Sequence, residues 1–244
     1  MWFGIATLFP EMFQALQVGI TGRALKEKLI ELHFSNPRDF VVEKYKSVDD
    51  HPYGGGAGML MAPLPLQKAL HTLKAQAPHK PTVIYLSPQG KLFTQAAASE
   101  LAAKKSLILL AGRYEGIDER IIQQEVDEEW SIGDYVVSGG ELPAMVMIDA
   151  ITRLIPGALG DSDSVTEDSL NKGLLKYPQY TRPEIFNEAK VPDILLSGNH
   201  QAILRYRLKQ ALGQTWRKRP DLLAKKELTP EESTLLNEFI RENK

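Results

Sequence analysis

The chain has 244 residues, 43% of them hydrophobic and 25% charged, with a formal net charge of −2 and no cysteine. This is the composition of a soluble globular protein of one large domain or two modest ones. It excludes disulfides, thiolate nucleophiles and Cys-ligated zinc, and fits a cytoplasmic location. No apolar run reaches the roughly 18 residues that a membrane span needs.

The opening MWFGIATLFP lacks a basic flank and a small-residue cleavage site, so it is not expected to be a signal peptide. Residues 1–9 read as a short strand of aromatic and β-branched residues. Met12, Leu16, Ala24, Leu25, Leu29 and Leu32 keep helical spacing, which predicts helix over 11–33. Phe40–Tyr45 alternates as a strand would, and a helix is expected near Leu64–Ala77. Thr82–Leu86 is a compact apolar run stopped by Ser87-Pro88-Gln89-Gly90. An Ala-rich helix over 94–104 follows, then a second apolar run, Leu107–Leu110, stopped by Ala111-Gly112. Ile117–Gln124 reads as helix. Ser131–Pro143, SIGDYVVSGGELP, starts as a third strand and breaks at Gly139-Gly140, before a helix over Ala144–Ile155.

Short apolar runs alternating with helices predict a parallel sheet covered on both faces. Ligands of open α/β sheets lie outside the carboxyl ends of the strands. The three corners at Ser87-Pro88, Gly112 and Gly139-Gly140 are therefore expected to converge on one pocket.

Charge divides the chain. Residues 1–159 carry 15 basic and 18 acidic residues, 160–175 one and four, and 176–244 thirteen and nine. Residues 160–175 are polar and acidic and read as a linker without fixed structure of its own. The remainder reads as predominantly helical. Within it, HQAILRYRLKQALGQTWRKRP (His200–Pro220) has six Lys or Arg and no acid, with Tyr206 and Trp216 interleaved. A solvated helix face is the ordinary explanation of such a run. The missing acids and interleaved aromatics favour contact with a nucleic-acid backbone.

Tyr53-Gly54-Gly55-Gly56-Ala57-Gly58 fails as a phosphate loop, because Met59, Leu60 and Met61 follow where Lys and Ser or Thr would stand. Its apolar flanks favour a site loop over a flexible connector. The histidines at 33, 51, 71, 79 and 200 have no metal-ligand spacing, and no G-x-S-x-G elbow is present. Zinc and serine-hydrolase chemistry are therefore poorly supported.

Several stretches together resemble the bacterial tRNA (guanine-N1-)methyltransferase family, of the SPOUT class. They are YGGGAGM (53–59), YLSPQG (85–90), AGRYEGIDER (111–120), SIGDYVVSGGELPAM (131–145), EDS (167–169), YTRP (180–183) and LLSGNH (195–200). Ala57, Tyr177 and Gln179 depart from the family pattern. The resemblance implies an α/β fold with a SPOUT-type parallel sheet, a deep trefoil knot and a small α-helical C-terminal domain. The corresponding boundaries are 1–159 for the knotted domain, 160–175 for the linker and 176–244 for the tRNA-binding domain. It implies methyl transfer from S-adenosylmethionine to N1 of the guanine just 3′ of the anticodon (position 37), by a homodimer holding the anticodon arm. Mg2+ is a conceivable assistant that no residue pattern shows.

By the same resemblance, Tyr85, Leu86, Ser87, Pro88, Gly112, Tyr114, Glu115, Ser131, Ile132, Gly133, Asp134, Tyr135, Val136, Val137, Gly139, Gly140 and Pro143 would hold the bent cofactor. Backbone groups around Ile132, Tyr135 and Val137 would read adenine. Asp168 would be the general base, with Glu167 and Asp163 as weaker candidates, and Arg153 the partner of guanine O6. Taken alone, Asp168 reads as solvated surface or a helix cap, and Arg153 as a cation complementing a helix C-terminus. Glu115 could equally form an ion pair with Arg113 or Arg120. Gly58, His200, Arg205, Arg207, Lys209 and Arg217 would contact RNA. The competing readings are a knotted methyltransferase with another RNA target and a noncatalytic RNA-binding protein.

Overall fold

The structure, a computed structural model, describes residues 1–41, 47–159, 170 and 173–243. The chain divides into two compact units, Met1–Ser162 and Asp163–Lys244.

The first unit is built on five parallel strands: β1 (Trp2–Ala6), β2 (Glu31–Ser35), β5 (Thr82–Leu92), β6 (Ser106–Leu110) and β7 (Glu128–Ser131). Their order across the sheet is β2-β1-β6-β5-β7. β3 (Asp49–Asp50) and β4 (Leu60–Met61) form a separate antiparallel pair. Every residue of β1 and β6 is buried, as an apolar run covered on both faces must be.

Alternation along each strand feeds two cores. Phe3, Ile5, Leu107 and Leu109 face one side, with Leu101 of α3 (Gln95–Ala102) and Met147, Ile148 and Ile151 of α5 (Glu141–Thr152). Ala24 of α1 (Gly19–Lys26) joins that side. Trp2, Ile108 and Leu110 face the other, with Leu66, Leu70 and Leu73 of α2 (Pro63–Gln76) and Ile121 of α4 (Glu119–Glu125).

Three expectations are corrected. The helix expected over 11–33 is a 3-10 helix at Pro10–Gln17 followed by α1, and the chain then enters β2. Val18 is extended and Gly19 has φ +67°, so the spacing is helical across a break that interrupts the helix. The strand expected at Phe40–Tyr45 begins in a 3-10 turn, Pro37–Phe40, started by Pro37 and capped by the Asn36 side chain on the Arg38 amide. Residues 42–46 lie outside the described set. The strand expected to start at Ser131 ends there, and the chain reaches α5 without further strand.

The second unit holds a short hairpin, β8 (Ile185–Phe186) with β9 (Ala189–Lys190), which the sequence did not signal. Four helices follow: α6 (Asp193–Leu196), α7 (His200–Lys218), α8 (Pro220–Ala224) and α9 (Pro230–Glu242). Its core is small: Leu174, Ala211, Leu212 and Leu235, with α9 started by a Thr229–Glu232 capping box. Gly213 lets α7 meet the Phe239 ring, which any Cβ there would strike. Leu174 thus packs with the C-terminal helices although it falls within the stretch read as linker.

Glu125 ends α4 beneath α2. Burial pushes its carboxyl up, but donors from Lys74 (2.6 Å), Gln67 (3.0 Å) and His71 (2.8 Å) more than reverse this, leaving it below the ordinary value of 4.5. A carboxyl lowered on folding stabilises above its unfolded pKa, and that stabilisation fades as pH falls through the folded one. Glu125→Gln is therefore expected to lose less stability than the wild-type chain below about pH 4.5. Urea melts across the acid range check this; equal slopes for the two chains would refute it.

Candidate functional site

The Ser87–Gly90 excursion within β5 and the corners after β6 and β7 meet at one hollow of about 300 Å3. Tyr85, Leu86, Ser87, Pro88, Gly112, Tyr114, Glu115, Ser131, Ile132, Gly133, Tyr135, Val136, Val137, Gly139, Gly140 and Pro143 line it. Asp134 does not. Gly116, Trp130 and Ser138 do, although the sequence reading passed over them. The clue to Gly116 was its place in Arg-Tyr-Glu-Gly; its φ of +131° is one that L side chains rarely adopt.

Each wall has a local cause. β5 pairs with β7 at Leu86 and again at Lys91, both opposite Trp130, so Ser87–Gly90 is thrown out of the sheet. The Ser87 hydroxyl accepts from the Gln89 amide at 3.1 Å and fixes this excursion. Past β7, the Ser131 hydroxyl accepts from the Gly133 amide at 3.2 Å, and the Tyr135 amide donates to the Gly133 carbonyl at 3.0 Å. Gly133 has φ +145°, and the Tyr135 ring lies where its Cβ would be.

The Gly-Gly corner passes bare against the corner after β6. The Gly140 amide donates to the Gly112 carbonyl at 2.8 Å. A Cβ on Gly140 would lie 2.6 Å from the Ala111 Cα and 2.9 Å from the Gly112 nitrogen, both backbone atoms that cannot swing aside.

One buried ion pair ties these segments together. The Glu141 carboxylate, fully buried at the first turn of α5, accepts from Arg113 Nε at 2.8 Å and from the Thr7 hydroxyl at 2.9 Å. Its charge complements the positive end of α5. Arg113 also donates to the Ser138 carbonyl at 3.2 Å and stacks 4.5 Å over the Phe9 ring. The ion pair considered between Glu115 and Arg113 or Arg120 is not formed: Arg113 serves Glu141, and Arg120 pairs with Asp118 at 2.7 Å. Glu115 instead borders Gly58, whose Cβ would strike its side chain, and its amide donates to the Met59 carbonyl at 3.0 Å. The glycine-rich loop therefore abuts the hollow's acidic edge. Tyr85 closes the floor; burial, then Glu129 and Glu119, push its phenol up, so it stays a donor at neutral pH.

Arg153 caps the far end of α5, thirteen residues beyond Gly140, or about 20 Å along the helix axis. It is not among the residues lining its own chain's hollow. Asp168, Glu167 and Asp163 lie outside the described residues. In the second unit, exposed His200 starts α7. Arg205 pairs with Glu238 at 2.6 Å, Lys209 with Glu242 at 2.8 Å, and Arg217 donates to the Asn243 side chain at 3.0 Å. These three cations face α9. Among the described residues, no group of three His, Cys, Asp or Glu could hold a metal, and no helix is long and apolar enough to cross a membrane.

Comparison with known proteins now bears on this geometry. The family model tRNA (Guanine-1)-methyltransferase TrmD matches residues 1–225. The chain belongs to this family. It is 58% identical over 243 residues to the tRNA (guanine-N(1)-)-methyltransferase of Aeromonas hydrophila, covering 99% of this chain and 98% of that one. The enzyme of the same name from Klebsiella pneumoniae is 58% identical over 244 residues, covering 100% and 96%. That from Photobacterium profundum is 57% identical over 245 residues, covering 100% and 98%. Members of this family are methyltransferases, and the resemblance seen in the sequence motifs is family membership.

Two substitutions test the site. Glu141→Ala strands the Arg113 charge and is expected to cost about 3–5 kcal/mol in urea unfolding. Gly140→Ala is expected to abolish S-adenosylmethionine binding in calorimetry, because its methyl has no space beside the Ala111 backbone. Wild-type affinity in Gly140→Ala would show that the corner is not part of the ligand site.

Proposed function

We propose that this chain transfers a methyl group from S-adenosylmethionine to N1 of a guanine in tRNA, the one 3′-adjacent to the anticodon (position 37). The observation that carries this reading is family membership across residues 1–225, joined to a hollow made where the family's specific motifs meet. A tRNA substrate accords with a cytoplasmic site of action.

The hollow fits the cofactor in kind. Five glycines line it beside tyrosine, tryptophan, valine and isoleucine residues, and a Cβ on Gly133, Gly139 or Gly140 would clash with neighbouring protein atoms. By family resemblance the main chain around Ile132, Tyr135 and Val137, all on the lining, is assigned to read adenine. The Glu115 carboxylate places negative charge at the edge where a sulfonium would favour it. When bound, the cofactor supplies an electrophilic methyl group, so the protein's task is alignment and proton management. Guanine N1 carries a proton and attacks poorly until it leaves, and charge then grows on O6. Asp168 is assigned to take that proton and Arg153 to meet O6. Mg2+ enters only through family resemblance, and no step depends on it.

Two further elements belong to the proposal. The first is the trefoil knot. The close backbone contact of Gly140 with Ala111 and Gly112 accords with it. General folding rules disfavour knots, so the family supplies this part of the reading. The second is a homodimer with the site completed across chains. Arg153 stands about 20 Å along α5 from its own Gly-Gly corner, beyond the reach of one side chain. Leu142 and Val146 of α5 and Val136 beside the hollow expose 46%, 48% and 96% of their surface, an apolar surface suited to a second copy. The proposed division is 1–159 for the catalytic domain, 160–175 for a linker carrying Asp168, and 176–244 for the domain that grips the anticodon arm.

Labelled methyl transfer to an unmodified tRNA transcript, with the product nucleotide mapped by mass spectrometry, tests the whole reading. Label on N1 of the guanine at position 37 is expected; transfer elsewhere, or binding without transfer, overturns it. Asp168→Ala should still bind cofactor while its rate falls about 10²- to 10⁴-fold. Complementation tests the shared site. Gly140→Ala and Arg153→Ala chains, each inactive alone, should regain about half the wild-type rate when co-assembled, because one of the two sites is then intact. No recovery in verified heterodimers would place Arg153 in its own chain's site.

A further inference from the structure

The long cationic helix of the second unit is answered by acids of its own chain. α7 carries Arg205, Arg207, Lys209, Arg217 and Lys218 and no acid. Arg205 and Lys209 stand about one turn apart, as do Glu238 and Glu242 of α9. The two helices therefore meet in two rungs: Arg205 to Glu238 at 2.6 Å, and Lys209 to both Glu242 oxygens at 2.8 Å. A third cation, Arg217, donates to Asn243 at 3.0 Å and stacks 5.1 Å over the Phe239 ring. α9 lies beyond residue 225, where the match to the family model ends, so family membership does not say what this acidic edge is for.

Stability does not account for it. Leu235 packs with Ala211 and Leu212, and the Phe239 ring lies against Gly213, so an apolar contact already holds the helices together. The ion pairs sit at the rim of that contact, with the Glu238 and Glu242 side chains 35% and 56% exposed, where such pairs add little. Glu242 is the last residue of α9, a position at which the helix dipole disfavours a carboxylate. Both acids therefore do little for α9 itself, while each cancels a cation on the helix beside it.

We infer that Glu238 and Glu242 make α9 a built-in competitor for RNA backbone, which lowers the affinity of α7 for strands of any sequence. The two carboxylates occupy the donors that phosphate oxygens would otherwise take. A strand held by its phosphates alone has no other contact with which to offset that competition. The effect is to keep stray RNA off this helix. The inference rests on the proposed tRNA substrate, but it concerns what opposes RNA on the second unit rather than what holds it.

The test measures binding of an unstructured oligouridylate, which offers phosphates and no guanine, by fluorescence anisotropy. It compares the full-length wild-type chain with Glu238→Gln/Glu242→Gln and with Glu227→Gln/Glu231→Gln. The last variant removes the same charge from exposed positions of the same unit that do not pair with α7. Glu238→Gln/Glu242→Gln is expected to bind the oligouridylate about 3- to 30-fold more tightly than wild type, the range that two released pairs can supply. The control pair should change it less than about twofold. If the double variant does not fold, Glu242→Gln decides alone, against Glu231→Gln. With the tRNA transcript, the oligouridylate should inhibit methyl transfer by the double variant at a correspondingly lower concentration than it does with wild type. Wild-type affinity in the double variant, an equal gain in the control, or no binding by any of the chains overturns the inference. Methyl transfer without oligouridylate is followed in parallel. Transfer with no gain in affinity sinks the competitor alone, and a gain in affinity without transfer sinks the methyltransferase reading alone.

Discussion

The pairing of Arg113 with Glu141 organises the first unit of this protein. The Glu141 carboxylate at the first turn of α5 is fully withdrawn from water and needs the part-buried Arg113 guanidinium on the corner after β6. The Thr7 hydroxyl adds the end of β1, and the Ser138 carbonyl adds the loop leading into α5. Three stretches far apart in sequence, around Thr7, Arg113 and Ser138–Glu141, therefore share one set of polar contacts. The hollow sits beside it, and five glycines can stand on its lining because the stiffness comes from elsewhere.

That arrangement separates two demands that usually conflict. A pocket read by amides and carbonyls needs backbone brought close, which favours glycine and long irregular loops. Such loops lose conformational entropy heavily on ordering. Here the loop from Ile132 to Gly140 is pinned at both ends and within: Ser131 and Gly133 at its start, Ser138 to Arg113 near its finish, and Gly140 to Gly112 at the crossing. Tyr114, held at φ +61°, carries strain that the neighbouring Gly116–Arg113 and Glu115–Met59 hydrogen bonds compensate.

Much of this was legible in the sequence, for reasons that also explain what was not. β5 and β6 are continuous apolar runs ended by turn residues, so their positions and the meeting of their corners could be read directly. β2, by contrast, is Glu-Leu-His-Phe-Ser on the sheet's edge, half exposed, and nothing in it outweighs the helical spacing of the residues before it. The extension of β5 past Ser87–Gly90 was hidden because a proline and a glycine read as a stop, whereas here they form an excursion within a strand. The Arg113–Glu141 pair was invisible because charged residues default to the surface, and nothing local links positions 28 residues apart. The ion-paired state of Arg205 and Lys209 was hidden likewise, since their partners lie in a helix 33 residues later.

Those last two pairs alter how the basic helix can act on a polyanion. Free lysines and arginines gather mobile anions or leave phosphates to shed cations, and binding then weakens steeply as salt rises. A lysine already neutralised by its own carboxylate must first give up that partner, and the displaced glutamate then repels the incoming strand. Fewer ions are set free per contact. Binding of a polyanion to this helix should therefore depend more shallowly on ionic strength than its five cations in 19 residues would imply.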